Sequence, residues 1–89
     1  MMIYDIKLQD SFIEEFEERT EMLPNYIEFI IIANTVEDAI KMCHEEEISI
    51  DDSKEFQNIW KMENVICRLL GISKEQPQIV TAVAISFEG

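Results

Sequence analysis

Residues 26 to 43, YIEFIIIANTVEDAIKMC, leave the chain the least freedom. Tyr26 to Ala33 is nearly continuous in β-branched and aromatic side chains, the composition of a strand covered on both faces or nearly so. Two residues later Thr35 stands where a helix N-cap is needed. Asp38 takes the capping-box position, and with Glu37 it puts negative charge in the first turn, where the helix dipole favours it. Val36, Ala39, Ile40 and Cys43 then recur at helical spacing. The pattern predicts a central strand over 26–33 and a helix over about 36–46 whose apolar stripe covers that strand.

The flanking segments supply the other elements. Met2, Tyr4, Ile6 and Leu8 alternate with Ile3, Asp5 and Lys7, the period-two pattern of an opening strand over 2–8. Phe12, Phe16, Thr20 and Leu23, with Ile13 beside them, follow a helical stripe. Asp10 or Ser11 is placed to cap that helix and Pro24 to stop it, which predicts a helix over about 11–22. An irregular loop competes there, because Glu14/Glu18 and Glu17/Glu21 are like-charge pairs one helical turn apart. EEISIDDSKEF is polar and turn-rich and reads as the main exposed connection. Residues 53–71 stay ambiguous. Phe56, Ile59, Trp60, Cys67 and Leu70 share a helical face, with Asp52 and Glu55 as a capping pair and Gly71 as a stop. NVICRLL alone also alternates as a strand. The closing segment QIVTAVAISFEG sets Ile79, Thr81, Val83, Ile85 and Phe87 on one side of a terminal strand, bulky toward a helix layer. Val80, Ala82, Ala84 and Ser86 make a thin reverse face.

These elements fit one domain over residues 1–89, since a chain this short supports a single small core. The expected fold is α+β: three or four mostly antiparallel strands with helices on one face, two of them, or three if residues 53–71 are helical. No secretory signal opens MMIYDIKLQD, and the longest apolar run, Phe29 to Ala33, has five residues, against the ~20 that span a bilayer. With only Cys43 and Cys67 as cysteines, a reducing cytoplasm is the expected location.

Nineteen acidic residues against seven basic ones give a net charge of −12, well beyond the roughly 2 to 8 that solubility asks of a small domain. Such a field repels phosphate backbones and anionic membranes and attracts basic protein surfaces. Direct nucleic-acid binding and membrane binding are therefore not expected. Twelve of the acids lie in two stretches, Asp10 to Glu21 and Glu45 to Glu55, each with six acids and one base. Carboxylates one turn apart on a helix stand about 5–6 Å apart at their Cβ atoms, a spacing loosely comparable to that of phosphates along a nucleic-acid strand. Glu14, Glu15, Glu17, Glu18, Glu21, Glu45, Glu46, Glu47, Asp51 and Asp52 are the candidate partner-binding residues. The competing reading makes both runs ordinary solvated surface.

Other chemistry has little to stand on. Cys43, His44 and Cys67 are the soft metal ligands, and even with Asp51 or Asp52 they lack the close Cys pairs of a zinc site. HEEE at 44–47 lacks the second histidine of a metalloprotease helix. The two glycines, Gly71 and Gly89, make no phosphate loop, and His44 has no serine elbow to serve. The expectation is a non-enzymatic protein without metal or cofactor, its cysteines acting as small hydrophobes.

From Phe29 to Cys43, and again at Trp60, VICRLLGIS and ISFEG, the chain resembles a loose set of small phage-encoded proteins. That set runs a strand into a capped helix of the type F-V-V-A-x-S-x-E-E-A, then a Trp, a segment of the type V-x-V-x-x-I-G-x-A, and a strand ending near S-F-N-A-G. The likeness covers about two thirds of the chain. The ending here lacks the Asn-Ala, and EEISIDDSKEF has no counterpart in the set. The resemblance implies that NVICRLL is a strand with Trp60 just before it. It also implies a phage or prophage setting, in which small acidic proteins block host defence. The expected function is thus occupation of a basic groove on a host protein, in its concrete form an anti-CRISPR or similar inhibitor that mimics nucleic acid to a nucleic-acid-binding defence effector. The alternative is a self-associating structural module, a homodimer joined at a sheet edge or through the thin face of residues 80–86.

Overall fold

A computed structural model describes residues 1–85; Ser86 to Gly89, with the expected end of the last strand and most of the ISFEG likeness, lie outside the described residues. The elements are β1 (Met2–Leu8), α1 (Asp10–Thr20), β2 (Tyr26–Ala33), α2 (Val36–Ile50), β3 (Val65–Ile72) and β4 (Gln78–Ala84), with 3₁₀ turns at Lys54–Phe56 and Met62–Asn64. The strands form one antiparallel sheet in the order β3-β1-β2-β4. This is the expected α+β architecture, with two helices on one face.

Alternation in β1 and β2 decides which face is covered. Ile6 pairs with Phe29, Tyr4 with Ile31 and Met2 with Ala33, so the apolar positions of both central strands point to the same side. There they meet Phe16 of α1, Ala39, Ile40 and Cys43 of α2, and Phe56, Ile59 and Trp60 of the connection. Phe29 lies at the middle, with the Trp60 ring edge-on at 4.9 Å and Tyr26 at 5.0 Å. The reverse face of β2 carries Glu28, Ile30 and Ile32. No helix covers it, yet Ile32 is buried and the other two are half-buried.

The Thr35 hydroxyl accepts from Asp38 N–H at 3.1 Å, the cap its position predicts. Other boundaries moved. At α1 the N-cap is Gln9, with no side-chain cap bond, in place of Asp10 or Ser11. Its amide donates instead to the Glu63 and Val65 carbonyls, tying the helix entry to the start of β3. Glu21, at φ 60° in the left-handed region, ends α1 three residues before Pro24. α2 runs on to Ile50, so the exposed connection starts later than EEISIDDSKEF suggests, and its Phe56 is buried. Residues 53–71 are not one helix. Ile59 and Trp60 enter the core from irregular backbone, and Gly71 sits within β3 opposite Ile3 instead of stopping a helix.

β4 corrects a further expectation. Ile79 pairs with core-facing Ile31, but Ala82 pairs with Phe29, whereas Thr81 and Val83 pair with Ile30 and Glu28. A bulge between Ile30 and Ile31 adds a residue to β4 and exchanges its faces. Beyond the bulge the bulky residues therefore lie on the side away from the helices, and the thin Ala82 lies on the helix side.

Candidate partner-binding surface

The first acidic run meets the requirement of a surface. Glu14, Glu15, Glu17, Glu18 and Glu21 are all exposed, held outward because Phe12, Ile13 and Phe16 take the inward positions of α1. Of these, Glu15 alone is ion-paired among the described residues, to Arg19 at 2.9 Å, and both side chains are more than half exposed. A pair of that kind contributes little. The Arg19 guanidinium also lies over the Phe16 ring at 5.6 Å. Glu14, Glu17, Glu18 and Glu21 form no ion pair among the described residues.

The second run divides. Glu45, Asp51 and Asp52 are exposed, although Asp51 Oδ1 also accepts from Ser53 N–H in a local turn. Glu46 is half-buried and accepts the Tyr26 hydroxyl at 3.3 Å. Glu47 is no surface residue at all, being fully buried. Its carboxylate accepts from Asn25 N–H at 2.6 Å, Tyr26 N–H at 3.3 Å and the Trp60 indole N–H at 3.0 Å. One side chain thus closes α2 onto the start of β2 and fixes the ring that packs on Phe29. Glu47 stands among the candidate surface acids only because Glu45 to Glu55 reads as one acidic run. The helical stripe Val36, Ile40, Cys43 runs next to position 47, and that period is the signal that could have separated Glu47 from Glu45.

The two runs do approach each other. Phe16 of α1 and Phe56 of the connection pack with tilted rings, centroids 5.9 Å apart, and a cleft of about 440 Å³ is lined by Arg19, Thr20, Lys54, Glu55 and Asn58. The cleft therefore holds the one base of each run. At this junction Arg19 and Lys54 stand beside Glu55, so cations interrupt the anionic surface there.

A third acidic group lies on the face away from the helices. Asp5 is buried there, and Arg68 of β3, paired with it in register, donates to Oδ2 from Nη2 at 2.9 Å and from Nε at 3.3 Å. Asp5 Oδ1 is buried without a hydrogen-bond donor among the described residues, and the neighbouring Glu28 carboxyl of β2 is coupled to Asp5. Its hydrogen bond to Asp5, with burial and the Asp5 charge adding to it, holds the Glu28 carboxyl above the ordinary range. Burial pushes Asp5 upward, but Glu28, Arg68 and Lys7 outweigh it and leave Asp5 lowered. Each carboxyl thus moves the other, Glu28 holding its proton more readily and Asp5 giving its proton up more readily than a free carboxyl. Sequence reasoning missed this pair, although Glu28 is the one charged residue in YIEFIIIA and Asp5 sits in the polar register of β1.

Cys43 is fully buried and Cys67 half-buried against the same core, both as free thiols. Burial first, and the neighbouring Cys67 second, push the Cys43 thiol far up, which suppresses its thiolate. His44 is half-buried on α2. Among the described residues no three His, Cys, Asp or Glu side chains gather as a metal site, and no helix is long and apolar enough to cross a membrane. Comparison of the chain with protein-family models, curated proteins and solved structures gave no match.

Proposed function

We propose that this is a non-enzymatic binding protein that presents the acidic face of α1 to a basic groove on another protein. The observation that carries the reading is the state of Glu14, Glu17, Glu18 and Glu21: four exposed carboxylates on 11 residues of helix and its C-cap, none of them ion-paired among the described residues. Glu14 and Glu18, like Glu17 and Glu21, stand one turn apart, so their mutual repulsion costs helix stability and is relieved by a partner's cations. Glu45, Asp51 and Asp52 extend the field as a separate patch; Glu46 and Glu47 drop out of it.

The charge favours a protein that itself binds nucleic acid, since a groove built for phosphates accepts a row of carboxylates. The phage resemblance makes a host defence effector the concrete candidate. Affinity capture from a bacterial host supplies the partner, and charge reversal tests the surface. Reversing Glu14, Glu15 and Glu18 to Lys is expected to weaken binding by at least about tenfold, equivalent to 1.4 kcal/mol. Unchanged affinity in that variant rules the acidic surface out as the binding site.

A further inference from the structure

β3 differs from the rest of the surface. It is an edge strand bonded to β1 alone, and from Ile66 to Ile72 its outward backbone groups have no partner among the described residues. Four of its eight residues are large, apolar and at least half exposed: Ile66 at 54%, Leu69 at 62%, Leu70 at 51% and Ile72 at 76%. Monomers commonly blunt such an edge with lysine, proline or inward charge. β3 has neither lysine nor proline, and Asp5 already neutralises Arg68, its one charge. The opposite edge, β4, exposes only Val80 and Val83 as large hydrophobics.

The charge around β3 also departs from that of the chain. With Arg68 paired to Asp5, residues 61–75 hold Lys61 and Lys74 against Glu63 and Glu75, so the segment is close to neutral in a chain of net charge −12. Two molecules of charge −12 repel each other over most approaches, and this sector is where the repulsion is least. A free strand edge takes another free edge, and the occupant must match isoleucine and leucine without adding charge. β3 itself meets all three conditions. A two-fold axis beside an antiparallel pair makes the surface self-complementary.

We infer that two copies of this chain join along β3, each edge bonding to the other and burying Ile66, Leu69, Leu70 and Ile72. The bulge that adds Leu70 opposite β1 limits regular pairing to the Val65–Leu69 end, with the apolar side chains beyond it closing the contact. An eight-residue edge is about 26 Å long. The contact falls at the small end of specific interfaces, under about 1,200 Å² in total, so dissociation lies in the micromolar range or weaker.

Analytical ultracentrifugation over a concentration series reads this directly. The expected result is a species of 10.4 kDa that doubles in mass as concentration rises, and a dimer that tightens as salt screens the net charge. Leu69→Lys with Ile72→Lys, at exposed positions, is expected to keep the far-UV circular dichroism and raise the dissociation constant by at least about tenfold. Those lysines lower the net negative charge, so added repulsion between acids cannot explain the loss. Val80→Lys with Val83→Lys on β4 is expected to leave the dimer intact, and the amides between Ile66 and Leu69 that point away from β1 are expected to exchange more slowly in step with dimer formation. A single 10.4-kDa species up to millimolar concentration overturns the inference. So does a dimer that survives the β3 variant, dissolves with the β4 variant, or leaves the β3 amides unprotected.

Discussion

α1 and the C-terminal half of α2 each carry a run of acids and use it differently. On α1 the inward positions are aromatic and aliphatic, and every glutamate faces water. On α2 the inward stripe continues into Glu47, whose carboxylate joins a strand start, a helix and an indole. The difference teaches that a run of acids is defined by the phase of the helix that carries it. An exposed glutamate costs its helix a little and is available to a partner, whereas a buried one with three donors is part of the core.

Removing Glu47 is expected to have the largest effect. Glu47→Ala strands three buried or half-buried N–H donors, at a cost of about 3 kcal/mol. For a domain of this size the melting temperature falls by on the order of 15 °C. Glu47→Gln keeps one acceptor oxygen and is expected to lose about half as much. Thermal denaturation of both variants checks the comparison, and a melting temperature unchanged in Glu47→Ala breaks it.

The Asp5–Glu28 pair gives a dependence on pH. Glu28 binds its proton more tightly in the folded chain than its ordinary value of 4.5. Its contribution is fully present below that value and is lost as pH rises from there through the raised one. Asp5 acts oppositely, losing its contribution only as pH falls below 3.8 through its lowered value. Stability from the pair is therefore greatest in mildly acidic solution. Glu28→Gln, which offers Asp5 a permanent donor, is expected to remove the decline above pH 4.5, as denaturant titration at a series of pH values will show. A persisting decline assigns that dependence to other groups.

Two smaller effects sharpen the contrast. Thr35→Ala removes the cap on Asp38 N–H and is expected to cost about 1 kcal/mol, measured by urea unfolding. Glu18→Gln on α1 relieves repulsion from Glu14 and is expected to stabilise by a few tenths of a kcal/mol. Neutralising an acid thus changes sign between the two helices.

Most of the fold was legible because its elements are local patterns. β1 and β2 announce themselves by alternation and β-branching, and α2 by a cap and a stripe. β3 was not separable from a helix by periodicity, since Phe56, Ile59 and Trp60 reach the core from turns that mimic helical spacing. The exchange of faces in β4 depends on one extra residue, which alternation along a single strand does not show. At the candidate surface, the exposure of the α1 glutamates follows from their phase. The burial of Glu47 requires its partners at Asn25 and Trp60, 22 and 13 residues away in the chain, and the coupling of Asp5 to Glu28 requires β1 and β2 to lie side by side.

The acidic face of α1 is tested most directly by titrating the captured partner with the wild type and with Glu14→Gln/Glu18→Gln/Glu21→Gln, by calorimetry at low and high salt. Exposed charges are screened over about 8–10 Å at physiological ionic strength, so wild-type affinity is expected to fall steeply with salt. The variant is expected to bind at least about tenfold more weakly at low salt, with a shallower salt dependence. Equal affinities with equal salt dependence would contradict the account.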